Sequence, residues 1–184
     1  KSRKSAALPG AKIYPPTLTN SDLANIKIAK EMGVTGVMQP FVRDHSDLEC
    51  VKEALREAGA EDIRLFAKIE NMDGVRKLEE LLPAADEIVI ARGDLGNAVH
   101  LWDLPGVQRQ IAEKCRAAGK PFMVVTQMLA SMERSPVPTR AEVNDIFHAV
   151  MDGAASIMVT GETAVGDYPV EVIRYMVNTV RSAE

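Results

Sequence analysis

Cysteine and aromatic residues are scarce in this sequence of 184 residues, which contains 2 Cys, 1 Trp, 3 Tyr and 4 Phe. Two cysteines cannot build the disulfide framework that stabilises small secreted domains. Cys50 and Cys115 lie far apart in the sequence and form no C-x-x-C pair, so we interpret both as reduced, buried thiols. Reduced thiols favour a cytoplasmic location for the protein.

Long apolar runs and an excess of basic residues are also absent. No stretch approaches the roughly 18 apolar residues of a membrane-spanning helix, and residues 1–5 lack the apolar run of a signal peptide. Lys and Arg total 22 against 26 Asp and Glu, which gives a formal net charge of -4. We therefore expect neither a membrane nor a nucleic acid as a partner, because no basic run could follow a phosphate backbone.

Three common catalytic signatures are missing. The sequence has no G-x-x-x-x-G-K-[ST] phosphate loop and no G-x-S-x-G nucleophile turn. His45, His100 and His148 are scattered without the spacing of metal ligands, so a zinc site is not expected. With 46% hydrophobic and 26% charged residues, the composition is that of an ordinary globular domain.

Short apolar runs alternate with helical patterns along the chain, which is typical of a parallel sheet built from consecutive βα units. Five runs are nearly continuous in apolar character, as expected for strands buried on both faces. They cover residues 36–39, 63–68, 87–91, 122–126 and 156–160. We predict an α/β fold in a single domain, residues 1–184, in which residues 1–19 form a linker into the sheet.

Helix-start signals lie between these runs. Ser46-Asp-Leu-Glu49 and Thr139-Arg-Ala-Glu142 both fit the capping box, in which a hydroxyl and a carboxylate satisfy free backbone amides. Pro105 and Pro169 each fit the first position of a helix, where the missing N–H of proline removes no hydrogen bond. The helix after Pro169 is predicted to bury the apolar residues Val172, Ile173, Met176 and Val180.

Polar residues follow the predicted strands at their carboxyl ends, where parallel α/β folds form their sites. Lys68 and Glu70 flank one isoleucine, so they share a strand face about 7 Å apart. Such a pair is compatible with a structural ion pair. Asp94, in the glycine-rich loop predicted at residues 92–96, adds a second carboxylate. Two carboxylates suit Mg²⁺, and Lys68 favours an anionic substrate.

Several blocks of this sequence, in matching order and spacing, resemble the pyruvate kinase family. They are Ala67-Lys-Ile-Glu-Asn71 with Asp73-Gly-Val75, Ala91-Arg-Gly-Asp-Leu-Gly96, Gly119-Lys-Pro121 followed by Thr126-Gln-Met-Leu129, Pro138-Thr-Arg-Ala-Glu142, and Gly161-Glu-Thr-Ala164 with Gly166-Asp-Tyr-Pro169. The resemblance implies that the five βα units form the second part of an eight-unit TIM-type (β/α)₈ barrel. Counterparts of the first three strands, the lid domain and the effector domain are missing.

The resemblance also implies ligands and a charged catalytic group. Glu70 and Asp94 match the family's ligands for Mg²⁺ or Mn²⁺. Lys68 matches the lysine that neutralises charge on the substrate during phosphoryl transfer and on the enolate, so it counts as both catalytic and substrate-binding. A K⁺ site is implied by the family, but the residues that form it have no counterpart in this chain.

Further residues match the substrate and proton-transfer regions of the family. The substrate-binding loop corresponds to four consecutive residues, Ala91, Arg92, Gly93 and Asp94. Thr126 matches the threonine beside the enolate, with both substrate-binding and catalytic roles. Thr160 and Glu162 are candidate proton-relay residues, for which a structural role is the alternative.

Three functions follow from these residues. The first is phosphoryl transfer from phosphoenolpyruvate to ADP in glycolysis, giving pyruvate and ATP. The second is a Mg²⁺-dependent lyase or aldolase of the same barrel type, which would form a pyruvate enolate without nucleotide. The third is a non-catalytic barrel fragment. The resemblance favours the kinase, and the open strand edges of a half-barrel predict a homo-oligomer.

Overall fold

Residues 15–184 are described by a computed structural model, in which five parallel strands form one open sheet with strand order β1-β2-β3-β4-β5. The strands are β1 (Gly36–Gln39), β2 (Arg64–Ile69), β3 (Glu87–Ala91), β4 (Phe122–Val125) and β5 (Ser156–Met158). The predicted α/β class and its five parallel strands are confirmed. The linker predicted at residues 1–19 lies mostly outside the described residues.

Helices connect the strands and flank them. They are α1 (Asn20–Ala29), α2 (His45–Glu57), α3 (Met72–Arg76), α4 (Leu78–Leu81), α5 (Arg92–Ala98), α6 (Leu104–Ala117), α7 (Arg140–Met151), α8 (Gly161–Ala164) and α9 (Pro169–Ala183), with a 3-10 helix at Ala130–Glu133. Within residues 15–184, none of the helices combines the length and apolar character needed to cross a membrane.

The two faces of the sheet carry separate apolar clusters. On the outer face, alternate strand residues such as Ala67, Ile88 and Val124 belong to the same core as the buried helix residues. The inner face carries a cluster without helix residues, formed by Phe66, Val89, Ala91, Met123, Val125 and Met158. Strands that are apolar on both faces, with helices on one side, are the arrangement expected for part of a (β/α)₈ barrel.

The predicted caps of the later helices agree with the structure. Thr139 caps α7 in a complete capping box with Glu142, and Pro169 is the first residue of α9. Pro105, predicted to be the first residue of its helix, is instead the second residue of α6, which begins at Leu104. These residues thus mark where the segments that follow β3, β4 and β5 end and the helices α6, α7 and α9 begin.

The predicted capping box at Ser46 is wrong. Asp44 caps α2, and its Oδ1 accepts hydrogen bonds from the Ser46 amide at 3.1 Å and from the Ser46 hydroxyl at 2.5 Å. The hydrogen bond from Ser46 is also the main reason that the pKa of Asp44 lies below its usual value. A carboxylate two residues earlier is the stronger acceptor, so α2 begins at His45.

Two burial predictions are also wrong. Ile173 is 43% exposed, while Val172 and Thr179 are the buried residues of α9. Cys50 is exposed, whereas Cys115 is buried and its burial raises the pKa of the thiol to about 12. Consecutive helix residues point about 100° apart, so an apolar residue beside a buried one need not reach the core.

Asp47 joins α2 to the segment that precedes α1. Its Oδ1 accepts a hydrogen bond from the Thr17 hydroxyl at 2.5 Å, and its Oδ2 accepts one from the Arg43 backbone amide at 2.9 Å. The Arg43 guanidinium forms an ion pair with the same carboxylate. Burial by itself would raise the pKa of Asp47, but these hydrogen bonds outweigh it and lower the pKa to about 2.

Asp47→Asn is expected to lower the free energy of unfolding by about 2 kcal/mol at neutral pH. Because the folded pKa is depressed, the stabilisation is complete above the ordinary value of 3.8 and disappears as the pH falls through about 2. Urea unfolding at neutral pH and near pH 2 measures both effects. The exposed Asp62, paired with Lys30, supplies the control Asp62→Asn. An equal loss at both pH values would contradict the prediction.

Candidate active site

The carboxyl end of β2 carries a largely buried ion pair. Lys68 is the penultimate residue of β2 and Glu70 directly follows the strand, so both side chains leave the same face. Lys68 Nζ lies 2.9 Å from Glu70 Oε1, and the two side chains are 25% and 3% exposed. Strand alternation predicted that Lys68 and Glu70 share a face, and the two side chains are in direct contact. The Lys68 ammonium is the more accessible of the two groups.

The second carboxylate oxygen of Glu70 binds the loop after β1. Glu70 Oε2 accepts a hydrogen bond from the backbone amide of Phe41 at 2.7 Å. The adjacent Val42 carbonyl accepts one from Asn71 Nδ2 at 3.1 Å. A Cβ at Gly74 would lie 2.6 Å from that carbonyl, so glycine there permits the loop to approach. The Glu70 carboxylate is thus held by Lys68 on β2 and by the loop after β1.

Asp94 lies in the first turn of α5, directly after β3. Its side chain is exposed, and among residues 15–184 its carboxylate takes part in no hydrogen bond or ion pair. The sequence-based expectation of a glycine-rich loop here is wrong, because Arg92–Ala98 form a helix. An acidic residue in the first helical turn interacts favourably with the free backbone amides and helps to start that helix.

Glu70 and Asp94 provide oxygen donors that fit a hard divalent cation. No group of three or more His, Cys, Asp and Glu side chains able to hold a metal occurs in the described part of the chain. Mg²⁺ commonly binds one or two carboxylates and completes its shell with water and substrate oxygens. Lys68 already compensates the charge of Glu70, whereas Asp94 has no ion-pair partner among residues 15–184. Carboxylate oxygens of this kind are the donors that Mg²⁺ or Mn²⁺ prefers.

The Arg92 side chain contacts α7 and the loop after β4 rather than the Lys68–Glu70 pair. Arg92 Nη1 lies 2.8 Å and 2.7 Å from the two carboxylate oxygens of Asp145. Arg92 Nε and Nη2 donate hydrogen bonds to the Thr126 carbonyl at 3.1 Å and 2.6 Å. The guanidinium is therefore engaged by protein groups on α7 and after β4.

Thr126 leaves the sheet with an unusual backbone conformation. Its φ is 85°, and Gln127 follows with a φ of 55°. This turn ends β4 at Val125, one residue earlier than predicted. On the other side, a Cβ at Gly93 would lie 3.1 Å from Thr126 Cγ2. The start of α5 and the loop after β4 are thus packed against each other, and Ala91, the buried last residue of β3, directly precedes α5.

The carboxylate of Glu162 is buried and binds two backbone amides. Oε1 accepts a hydrogen bond from the Leu129 amide at 3.2 Å, and Oε2 accepts one from the Thr160 amide at 2.7 Å. Glu162 is only 2% exposed, whereas Thr160 is an exposed residue directly before α8. The carboxylate of Glu162 therefore links the loops after β4 and β5, and the Thr160 hydroxyl lies 3.4 Å from it.

Three residues at this edge were missed by the sequence analysis: Phe41, Leu129 and Asp145. Phe41 and Leu129 contribute backbone amides, so their side chains gave no signal. Asp145 could have been found, because it lies three residues after Glu142 on a helix whose start at Thr139 was predicted. That spacing places both carboxylates on one side of α7.

Known proteins match this chain along nearly its whole length. The family profile described as "Pyruvate kinase, barrel domain" matches residues 1–173. Pyruvate kinase of Bacillus licheniformis is 41% identical over 184 residues, which is 100% of this chain and 32% of the relative. Pyruvate kinase of Dictyostelium discoideum is 42% identical over 181 residues, 98% of this chain and 36% of the relative.

A third relative, pyruvate kinase of Geobacillus stearothermophilus, is 42% identical over 176 residues, which is 96% of this chain and 30% of the relative. The chain thus spans about a third of the length of these curated relatives. The sequence blocks, the parallel strands and these matches agree with one another. The chain belongs to the pyruvate kinase family and represents part of its catalytic barrel.

Proposed function

We propose that this chain carries the metal- and enolate-binding half of an active site that transfers a phosphoryl group from phosphoenolpyruvate to ADP, giving pyruvate and ATP. The observation that supports this most directly is the contact between Lys68 and Glu70 at the end of β2, with the exposed Asp94 carboxylate after β3. Membership of the pyruvate kinase family supports the same reaction.

Glu70 and Asp94 would hold Mg²⁺ or Mn²⁺, which supplies positive charge beside the carboxylate and phosphate oxygens of the substrate. Phosphoryl transfer spreads negative charge over the equatorial phosphate oxygens, so a fixed ammonium group lowers the barrier. The Lys68 ammonium, held by Glu70, has that role. Because Glu70 also binds the Phe41 amide, the ammonium is anchored to a carboxylate that is itself fixed.

The remaining groups bind the substrate or support the loops. The backbone of Arg92, Gly93 and Asp94 contacts the substrate carboxylate, and the Thr126 hydroxyl lies beside the enolate. The Thr160 hydroxyl is exposed and can exchange a proton, whereas Glu162 positions the backbone through its bonds to two amides. We further propose a cytoplasmic homo-oligomer, supported by exposed apolar residues on α9 such as Val170 and Ile173.

The proposed function is tested by incubating the complete gene product that contains this sequence with phosphoenolpyruvate, Mg²⁺ and K⁺, with and without ADP. We expect ATP and pyruvate to form in equal amounts, and only when ADP and Mg²⁺ are present. Nucleotide-independent cleavage of a pyruvate aldol adduct would instead identify a lyase or aldolase. The absence of both reactions would support a non-catalytic barrel fragment.

A further inference from the structure

The guanidinium of Arg92 joins three parts of the structure. Arg92 lies on α5, and its Nη1 pairs with both carboxylate oxygens of Asp145 on α7. Its Nε and Nη2 both donate to the carbonyl of Thr126, after β4. A further contact of 2.8 Å joins Nη2 to the Met128 sulfur. The side chain is 13% exposed, so these contacts are made largely out of solvent.

The carbonyl that Arg92 holds belongs to a residue in a strained conformation. A φ of 85° is unfavourable for a β-branched residue such as Thr126, and such conformations cost on the order of 1–3 kcal/mol. They persist only where the surroundings enforce them. Arg92 fixes the carbonyl of Thr126 from one side, and Gly93 leaves room for its methyl group on the other.

We propose that Arg92 and Asp145 act together as positioning residues that hold the Thr126 hydroxyl in its reactive orientation. Asp145 orients the guanidinium, and the guanidinium then fixes the Thr126 carbonyl with two hydrogen bonds. Arg92 therefore acts through the backbone of Thr126 and not by contacting the substrate with its side chain. This inference rests on the proposed function, because it concerns the enolate beside which Thr126 is placed.

The geometry requires both members of the pair. A Lys in place of Arg92 has a single nitrogen and cannot bind Asp145 and the Thr126 carbonyl in the same fork-like manner. An Asn in place of Asp145 keeps the shape but loses the charge that attracts Nη1. Misplacement of a reactive group by about 1 Å can lower a rate about 100-fold. Each substitution should therefore affect the reaction at Thr126 more than the binding of ligands at Glu70 and Asp94.

The test measures exchange of the methyl protons of pyruvate with D₂O by NMR, using the complete gene product with Mg²⁺. In this exchange a methyl C–H bond of pyruvate breaks and its proton passes to solvent, after which the enolate takes a deuteron from D₂O to form a C–D bond. We expect R92K and D145N each to lower the exchange rate at least about tenfold. The affinity for oxalate with Mg²⁺, measured by calorimetry, should change less than threefold.

A matched control is available at the surface. Arg134 Nη1 lies 3.0 Å from both carboxylate oxygens of Asp167, and both side chains are more than half exposed. R134K and D167N should leave the exchange rate within twofold of the wild type. The double variant R92K/D145N should exchange no more than about threefold slower than either single variant, because the two residues act as one unit.

Two results would overturn the positioning role. The first is an exchange rate within twofold of the wild type for both R92K and D145N. The second is a parallel fall in exchange rate and oxalate affinity, which would indicate a general structural role for the pair. If the unaltered protein itself fails to exchange pyruvate protons in a Mg²⁺-dependent manner, the proposed function fails, and the inference that rests on it fails with it.

Discussion

Glu70→Gln and Asp94→Asn, made separately in the complete gene product, are each expected to abolish the Mg²⁺-dependent binding of oxalate, a mimic of the pyruvate enolate. The amide side chains keep the shape of the carboxylates but lack the charged oxygen that Mg²⁺ requires. We expect the affinity to fall at least about 100-fold in both variants, since weaker outer contacts of metal sites already contribute about 10–100-fold. Titration calorimetry with and without Mg²⁺ measures this loss.

Glu70→Gln and Asp94→Asn are expected to differ in their effect on thermal stability. Glu70→Gln also removes the charge opposite Lys68, so its thermal stability is measured alongside, whereas Asp94 has no partner among residues 15–184 to lose. Glu61→Gln and Asp103→Asn change exposed residues and should bind oxalate as the wild type does. Unchanged oxalate affinity in both site variants would rule out the proposed metal ligands.

Lys68→Met is expected to lower the turnover number for phosphoryl transfer about 10²–10³-fold, the range found when one fixed donor to a developing negative charge is removed. The methionine side chain is similar in length to that of lysine, so the substitution mainly removes the charge. A coupled assay of pyruvate release at saturating phosphoenolpyruvate and ADP gives this number for the complete gene product.

Mg²⁺ should raise the thermal stability of the Lys68→Met variant more than it raises that of the wild type. Without Lys68, the buried Glu70 carboxylate lacks the cation 2.9 Å away, so a bound divalent ion gives a larger gain in thermal stability than in the wild type. Lys77→Met is the control, because Lys77 forms an ion pair of 3.1 Å with Asp44 at an exposed position. Turnover within threefold of the wild type in Lys68→Met would contradict the role of this ammonium.

The position of the site at the carboxyl-terminal edge of the sheet was predictable, because two local sequence patterns determine it. Apolar runs bounded by polar residues located β3 to the residue, and strand alternation placed Lys68 and Glu70 on one face. Parallel strands end on the same side of a sheet, so Asp94 after β3 belongs to the same edge as Glu70. None of these steps depends on contacts between distant residues.

The connections across that edge were not predictable from local pattern. The direction of the Arg92 side chain depends on Asp145, which is 53 residues away in sequence. The positive φ of Thr126 is unfavourable for its residue type, so its own sequence argues against it. The helix at residues 92–98 was missed because its two glycines indicate a loop, whereas the surrounding structure overrides that preference.

Three charged side chains at this edge of the sheet hold backbone groups of neighbouring segments. Glu70 holds the Phe41 amide, Arg92 holds the Thr126 carbonyl, and Glu162 holds the Leu129 amide. Arg92 and Glu162 both hold the segment after β4, so we expect this segment to open together with α8 and the start of α5, with one shared opening free energy in hydrogen exchange. The Leu129 amide, although outside the strands, then becomes a reporter of how often these segments loosen, and the Phe41 amide reports the separate contact between the ends of β1 and β2.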